Sequence, residues 1–197
     1  MRKEVYADYS ATSPIRPEVL EAMWPYLKED YGNPSSLYSK GRRAKYAIEE
    51  ARKKIAKVIN ADPDEIYFTS GGTEADNWVI KGIAEKYPTN PIVTTKIEHH
   101  ALLHACDYVS DVSLGTMLDV YYLENTKDGT VLFRDDSECL LEYPSLVSIM
   151  AANNEIGTIE PFWNFGKVCE GNGIRFHMDA VQAFGKIPID VKKQQID

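Results

Sequence analysis

The chain is 197 residues long, 44% hydrophobic and 26% charged, which suits a soluble globular domain large enough to bury a core. Its 30 acidic residues outnumber 22 lysines and arginines, and the resulting charge of −8 argues against a general nucleic-acid surface, since phosphate binding needs clustered basic charge. Three scattered cysteines, Cys106, Cys139 and Cys169, form no C-x-x-C, and neither a signal-peptide core nor a membrane-length apolar run occurs, so a reducing cytoplasm and no membrane partner are expected.

Apolar runs alternate with helical periods along the chain. A first helix is predicted over residues 17–29. The second, 41–59, is the clearest, with Ala44, Ala47, Ile48, Ala51, Ile55, Val58 and Ile59 forming one apolar stripe. Lys40, Arg42, Arg43, Lys45, Arg52, Lys53 and Lys54 interleave with Glu49 and Glu50 and read as its wet face. A short buried strand is predicted at 66–69, a helix at 73–87, a strand at 92–95 and a helix at 99–111. Strands at 120–123 and 146–150, a helix at 162–170 and a strand at 174–178 complete the pattern. Such alternation predicts an α/β fold with a largely parallel sheet flanked by helices. Ligands of such sheets gather at the carboxyl ends of the strands, so the residues just after each strand are the candidates.

The first strand is followed by "TSGGTEADN". Gly71 and Gly72 permit a tight turn with open backbone amides, and Thr73 and Glu74 begin a helix. That is a ready anion site, although the same motif also serves as a plain capped turn. The second is followed by "KIEHHALLHA". His99 stands where an aromatic, titratable group can lie over a ligand or simply occupy a loop. His100 and His104, four apart, could form a zinc pair, but no third ligand follows at metal spacing and Glu98 is weak support; zinc binding through His99, His100 and His104 is the weakest reading, and no metal is expected. "AANNEIGTIEP" places two asparagines after the fourth strand, as amide ligands or turn residues. In "HMDAVQ", Asp179 is expected to be partly buried, which is costly for a carboxylate unless it is paired. No arginine or lysine adjoins it in sequence. A cationic ligand group would meet the need, and an N-cap role is the plainer reading. A cradle for an anion, an imidazole, amides and a carboxylate together suit one ligand with a phosphate, a flat ring and a protonatable ring nitrogen. Pyridoxal phosphate is such a molecule.

The segments "YADYSATSPIRPEV", "YGNPSS", "FTSGGTEADNWVIKG", "EHHALL", "VSIMAANNEIGTIEP" and "HMDAVQAFGKIPIDV" follow one another over nearly the whole chain. In them the sequence resembles the N-terminal half of cysteine desulfurases, class V aminotransferases among the PLP-dependent transferases of fold type I. Residues 109–143 match only loosely, and "ATSP" stands where "ATTP" is commoner. The resemblance implies that residues 1–197 are the N-terminal part of a PLP-binding large domain. It also implies a sheet order of 3-2-4-5-6-7-1. Strands 6 and 7, the Ser-x-His-Lys segment with the Schiff-base lysine, the catalytic-cysteine loop, the substrate-carboxylate arginine and the C-terminal small domain would then lie beyond Asp197. By the same resemblance, Gly72 and Thr73 hold the cofactor phosphate. His99 stacks on the ring and assists proton transfers, Asn154 contacts the cofactor–substrate region, Asp179 pairs with the ring nitrogen and Gln182 bonds the phenolic oxygen. Asn33 borders the substrate pocket. Lys186, Lys192 and Lys193 lack the context of the cofactor lysine. The three cysteines do not match the catalytic one and are expected to pack in the interior.

The implied reaction converts L-cysteine to L-alanine. The sulfur leaves as an enzyme persulfide, for iron–sulfur cluster or thio-cofactor assembly by way of a sulfur acceptor or scaffold protein. Family members resemble homodimers. The alternatives are another class V member, such as a selenocysteine lyase, and a truncated non-catalytic paralogue acting as a binding module. Without strands 6 and 7, the strand at 66–69 would lose its neighbour and the fifth would be an open edge. The chain alone is therefore expected to be inactive and poorly stable, or to pair with another chain.

Overall fold

The computed structural model describes residues 4–111, 113, 118–132 and 143–197. The chain divides into two compact units, Met1–Ile66 and Tyr67–Asp197.

In the first unit, α1 spans Pro17–Lys28 and α2 spans Ser39–Ile59. Pro17 opens α1 where a helix needs no amide donor. Asn60 ends α2 in the left-handed conformation, φ 58°, which asparagine tolerates, and the Ala61 amide closes back on the Ala56 carbonyl at 2.9 Å. A 3-10 turn, Pro63–Glu65, follows. Arg43 of α2 pairs with Asp30 at 2.7 Å. Gly41 lets α2 approach the loop before it. A Cβ at that position would stand 2.7 Å from the Asn33 carbonyl oxygen and closer still to that of Ser36. The predicted stripe on α2 is only partly covered. Of its residues only Ala44 is buried, while Val58 remains 60% exposed; Gly41 and Ala56, outside the stripe, are buried as well.

The second unit runs α3 (Gly72–Lys86), β1 (Ile92–Thr95), α4 (His100–Ser110), β2 (Val120–Leu123), β3 (Leu146–Ser148), α5 (Phe162–Asn172), β4 (Arg175–His177) and α6 (Val191–Gln194). Its sheet has the order β2-β1-β3-β4, and every pairing is parallel. Counting the predicted strand at 66–69 as the first, this is 3-2-4-5, the order that the resemblance implies for these strands. Ile92 pairs with Leu146, and Leu146 with Arg175; Val93 pairs with Val147, and Val147 with Phe176. Side chains alternate across a sheet, so these are its two faces. On the first, Ile92 and Leu146 join Ile80 of α3 and Leu102, Ala105, Cys106 and Val109 of α4 in one buried cluster. On the second, Phe176 meets Phe165 of α5 edge to face, with ring centroids 6.1 Å apart. Both faces are thus covered, as a parallel sheet requires.

One expectation needs correction. Residues 66–69 form no strand. An extended segment becomes a strand only when a neighbouring strand takes up its backbone groups, and none pairs with it among the described residues, where the Ile66 carbonyl accepts from the Arg52 side chain instead. Tyr67 instead sets its ring against Trp78 at 6.1 Å and stays 71% exposed. The tail first forms the single turn α6, which the sequence did not predict, capped by Asp190 accepting from the Lys193 amide at 3.0 Å. It then returns to the sheet. The Asp197 amide donates to the Phe176 carbonyl at 3.0 Å, and the Phe176 amide donates to Asp197 Oδ2 at 2.9 Å.

Cys106 and Cys169 are buried and unpaired, and burial pushes both thiols up to about 12. They are packing residues rather than nucleophiles. Cys139 and residues 133–142 around it lie outside the described residues. No described helix is long and apolar enough to cross a membrane.

Gly41→Ala should destabilise the first unit by about 1–3 kcal/mol, because the added methyl must displace backbone carbonyls rather than a flexible side chain. A denaturation midpoint unchanged from that of the parent would show that the 33–36 loop yields freely.

Candidate active site

Each candidate segment follows a point where the chain leaves the core. After residues 66–69, Gly71 caps α3, and its carbonyl accepts the amides of Glu74 at 3.1 Å and Ala75 at 3.2 Å. Gly72 and Thr73 are the first two helical residues, whose amides a helix leaves without internal acceptors. Glu74 reaches back to the Ser70 amide at 2.6 Å and hydroxyl at 2.7 Å, and these bonds hold its carboxyl below the usual range. The turn is therefore held by its own side chains while its leading amides stay open. Space at Gly71 is clear, whereas a Cβ at Gly72 would meet the Val181 side chain at 3.0 Å. The glycine turn and the segment after β4 are neighbours.

His99 follows β1 as the N-cap of α4, and its Nδ1 accepts the Ala101 amide at 3.1 Å. Accepting at Nδ1 places the ring proton of the neutral form on Nε2. The ring is exposed. His100 and His104 stack on each other at 5.5 Å, and no group of three His, Cys, Asp or Glu able to hold a metal occurs among the described residues.

After β3 the two asparagines separate in role. Asn153 is taken up by the fold. Its Nδ2 donates to the Ile97 carbonyl at 2.8 Å, and its Oδ1 accepts the amides of Glu155 at 2.8 Å and Ile156 at 3.1 Å. Asn154, beside it, is partly buried.

The segment after β4 carries Asp179, 9% exposed. The ladder between β3 and β4 continues past their ends, through the Ile149 amide to the His177 carbonyl at 3.1 Å and the Ala151 amide to the Asp179 carbonyl at 2.8 Å. Asp179 Oδ1 accepts the Val181 amide at 2.9 Å, so it does cap, but it caps a turn rather than a helix. Gln182 Oε1 accepts from Lys186 at 3.1 Å, which leaves the amide NH2 as its donor end.

The structure therefore joins the segments that carry Gly72, Thr73, His99, Asn154, Asp179 and Gln182. Asn33 lies in the first unit, where its Oδ1 accepts the Ser35 amide at 2.9 Å.

Two acids that the sequence did not single out stand beside Asp179. Asp76 of α3 is 4% exposed, and burial, helped by the charge of Asp179, pushes its carboxyl up to about 7. Glu98 is 5% exposed and is pushed by burial up to about 8, against the opposing bonds it accepts from the Met150 amide at 2.9 Å and the Thr95 hydroxyl at 2.8 Å. His177, whose Nδ1 meets the Ser148 hydroxyl at 2.8 Å, is lowered by burial to about 4, with Asp179 opposing. None of the three carboxyls forms an ion pair among the described residues.

These shifts give stability a pH dependence. Asp76 and Glu98 keep protons in the folded state that they lose in the unfolded chain, so their contribution is whole below the ordinary carboxylate range and is lost as pH rises through about 7 and 8. His177 acts oppositely, favouring the folded state as pH rises from about 4 to its ordinary 6.5. Above pH 6.5 the carboxyls act alone. The melting temperature should therefore fall between pH 6.5 and 8, with a slope of up to about 1.4 kcal/mol per pH unit for each proton. Asp76→Asn and Glu98→Gln should each flatten it. A flat or rising profile in the parent would contradict the burial of these groups.

Comparison with known proteins gives the site a family. The Aminotransferase class-V family matches residues 5–197. A relative, the cysteine desulfurase IscS of Clostridium botulinum, is 50% identical over 199 aligned residues, which take in 100% of this chain and 49% of the relative. Among solved structures, a NifS-like protein superposes with a TM-score of 0.86 at 38% identity, over 99% of this chain and 54% of its own. SspA in complex with cysteine gives a TM-score of 0.86 at 34% identity, over 98% and 55%. The chain belongs to the aminotransferase class-V family, and it spans about half the length of the cysteine desulfurases it matches.

Proposed function

We propose that this chain is the N-terminal part of the large domain of a pyridoxal-phosphate-dependent cysteine desulfurase. The observation that carries the reading is the buried carboxylate of Asp179. It sits at a strand end among two further buried acids and has no cationic partner among the described residues. Burial of such a group is costly without a counter-charge, and a protonated ring nitrogen is one. The open amides at the start of α3 add an anion cradle, the other end of the same ligand. These residues fit pyridoxal phosphate.

In this reading the Gly72 and Thr73 amides bind the phosphate. Asp179 offers Oδ2 to the ring nitrogen and keeps it protonated, since Oδ1 is engaged by Val181. Gln182 directs its NH2 toward the phenolic oxygen. His99 would stack on the ring and would move protons through Nε2, because Nδ1 is held by the Ala101 amide. Asn154 would orient the substrate near the cofactor. Pyridoxal phosphate, when bound, supplies an electron sink for the charge left at the substrate's Cα.

The substrate is L-cysteine and the carbon product L-alanine. The sulfur is taken up by a cysteine of the whole enzyme and passed to an acceptor or scaffold protein. The SspA structure in complex with cysteine supports this substrate class. By the family resemblance, the Schiff-base lysine and the nucleophilic cysteine are assigned to sequence outside these 197 residues, and Cys106 and Cys169, buried with thiols raised to about 12, do not act as the nucleophile. The whole enzyme is a cytoplasmic homodimer.

The test is equilibrium binding of pyridoxal phosphate, followed by absorbance and by quenching of intrinsic fluorescence. The chain should bind without forming a lysine adduct that borohydride can trap. Asp179→Asn should weaken binding by about 10- to 100-fold, the worth of one charge-assisted hydrogen bond. No alanine should be released from cysteine. An unchanged affinity in Asp179→Asn would remove the role given to that residue. A trapped adduct at a single lysine, or steady alanine release, would refute the assignment of the missing groups.

A further inference from the structure

Glu98 and Asn153 cross between the two loops that carry His99 and Asn154. From the loop after β1, Glu98 Oε1 accepts the Met150 amide at 2.9 Å. From the loop after β3, Asn153 Nδ2 donates to the Ile97 carbonyl at 2.8 Å. Each loop sends one side chain to the other's backbone, with both bonds donated from the loop after β3, so neither loop can slide along the other without breaking one. Thr95, the last residue of β1, adds a bond from its hydroxyl to the same Glu98 oxygen at 2.8 Å. The anchor is thus tied to the strand as well as to the loop.

We propose that Glu98 is a positioning residue, which with Asn153 clasps the loops after β1 and β3 and so sets the spacing of His99 and Asn154. The proposal rests on the cofactor reading for what that spacing serves, while the clasp itself is a property of the chain alone.

The chemistry of Glu98 fits a clasp better than it fits a charge. All its bonds converge on Oε1, while Oε2 is buried without a partner. A buried carboxylate would leave half its charge unanswered there. A carboxylic acid removes that charge: the carbonyl-like Oε1 still accepts both donors, and Oε2 carries the proton as a neutral hydroxyl. The groups facing Glu98 favour that form. Asp76 on α3 and Asp179 after β4 are both acids, and Cys106 on α4 is a thiol held in its neutral state. A neutral amide should therefore replace Glu98, and a methyl should not.

Two quantities test this. One is the exchange rate of the Met150 amide in the chain without cofactor, and the other is affinity for pyridoxal phosphate. The variants are Glu98→Ala, Glu98→Gln and Asn153→Ala. Glu98→Ala should speed Met150 exchange by about tenfold, the loss of one buried hydrogen bond, and weaken cofactor binding by a similar factor. Glu98→Gln should keep both within about twofold, since its amide oxygen stands in for Oε1. Asn153→Ala should weaken cofactor binding from the opposite side of the clasp. Should Glu98→Ala fail to fold, the contrast between Glu98→Gln and Asn153→Ala still decides. Slow Met150 exchange in Glu98→Ala, or a Glu98→Gln chain as impaired as an alanine one, would overturn the clasp. Fast exchange with unchanged cofactor affinity would overturn its positioning role. A parent that binds no pyridoxal phosphate, with exchange still responding to Glu98→Ala, would sink the cofactor reading and leave the clasp standing.

Discussion

Ile92 and Val93 pair with Leu146 and Val147 at the centre of the sheet, and none of the four is more than 2% exposed. The position of every candidate group in the second unit descends from that pairing. Parallel strands deliver their carboxyl ends to one side, so a register set at Ile92 and Leu146 also sets which loops meet beyond them. The loop after β1 holds Glu98 and His99, and the loop after β3 holds Asn153 and Asn154. On the other flank of β3 the ladder continues to Ala151 and Asp179. Side chains on both faces, Ile80 and Leu102 on one and Phe165 on the other, hold the pairing dry.

Electrostatics follow from the same burial. Asp76 in α3 and Glu98 in the loop after β1 stand beside Asp179 with no cationic partner among the described residues. Desolvation leaves Glu98 largely protonated and Asp76 about half protonated near neutral pH. Their reduced charge weakens the repulsion that would otherwise act on Asp179. Asp179 then stands as the place where a positive ligand group gains most. Its neighbour His177 does not compete for that role, since burial keeps its imidazole neutral.

Much of this was legible from residues alone, and the misses have physical causes. The long helices were legible because their apolar spacing is periodic, and the four strands because short apolar runs ended at turn residues. The run at 66–69 has the same appearance, yet strand formation depends on a neighbour that no local pattern reports. α6 was missed because a single turn with one capping aspartate is too short to show a period. Asp179 and His99 could be picked out because they follow strands. Glu98 follows the same strand and was passed over as weak support for a metal. Its importance lies in burial and in a bond to Met150, 52 residues away. Asp76 sits in a helix amid polar neighbours, and nothing in "TEADNW" marks it as the inward residue.

The arrangement also shows how a site made of loops can be rigid. A loop ordered only by its ligand must lose conformational entropy on binding, and that loss is subtracted from affinity. Here the ordering is done in advance. The glycine turn is held by Glu74 on Ser70, the histidine ring by the Ala101 amide, the asparagine loop by Asn153, and the Asp179 backbone by Ala151. In every case a side chain or backbone group outside the proposed site fixes a segment that carries one of the proposed site residues. Asp179 shows the principle within one residue: its carbonyl is tied to Ala151 and its Oδ1 to Val181, so Oδ2 is left with a single direction in which to act.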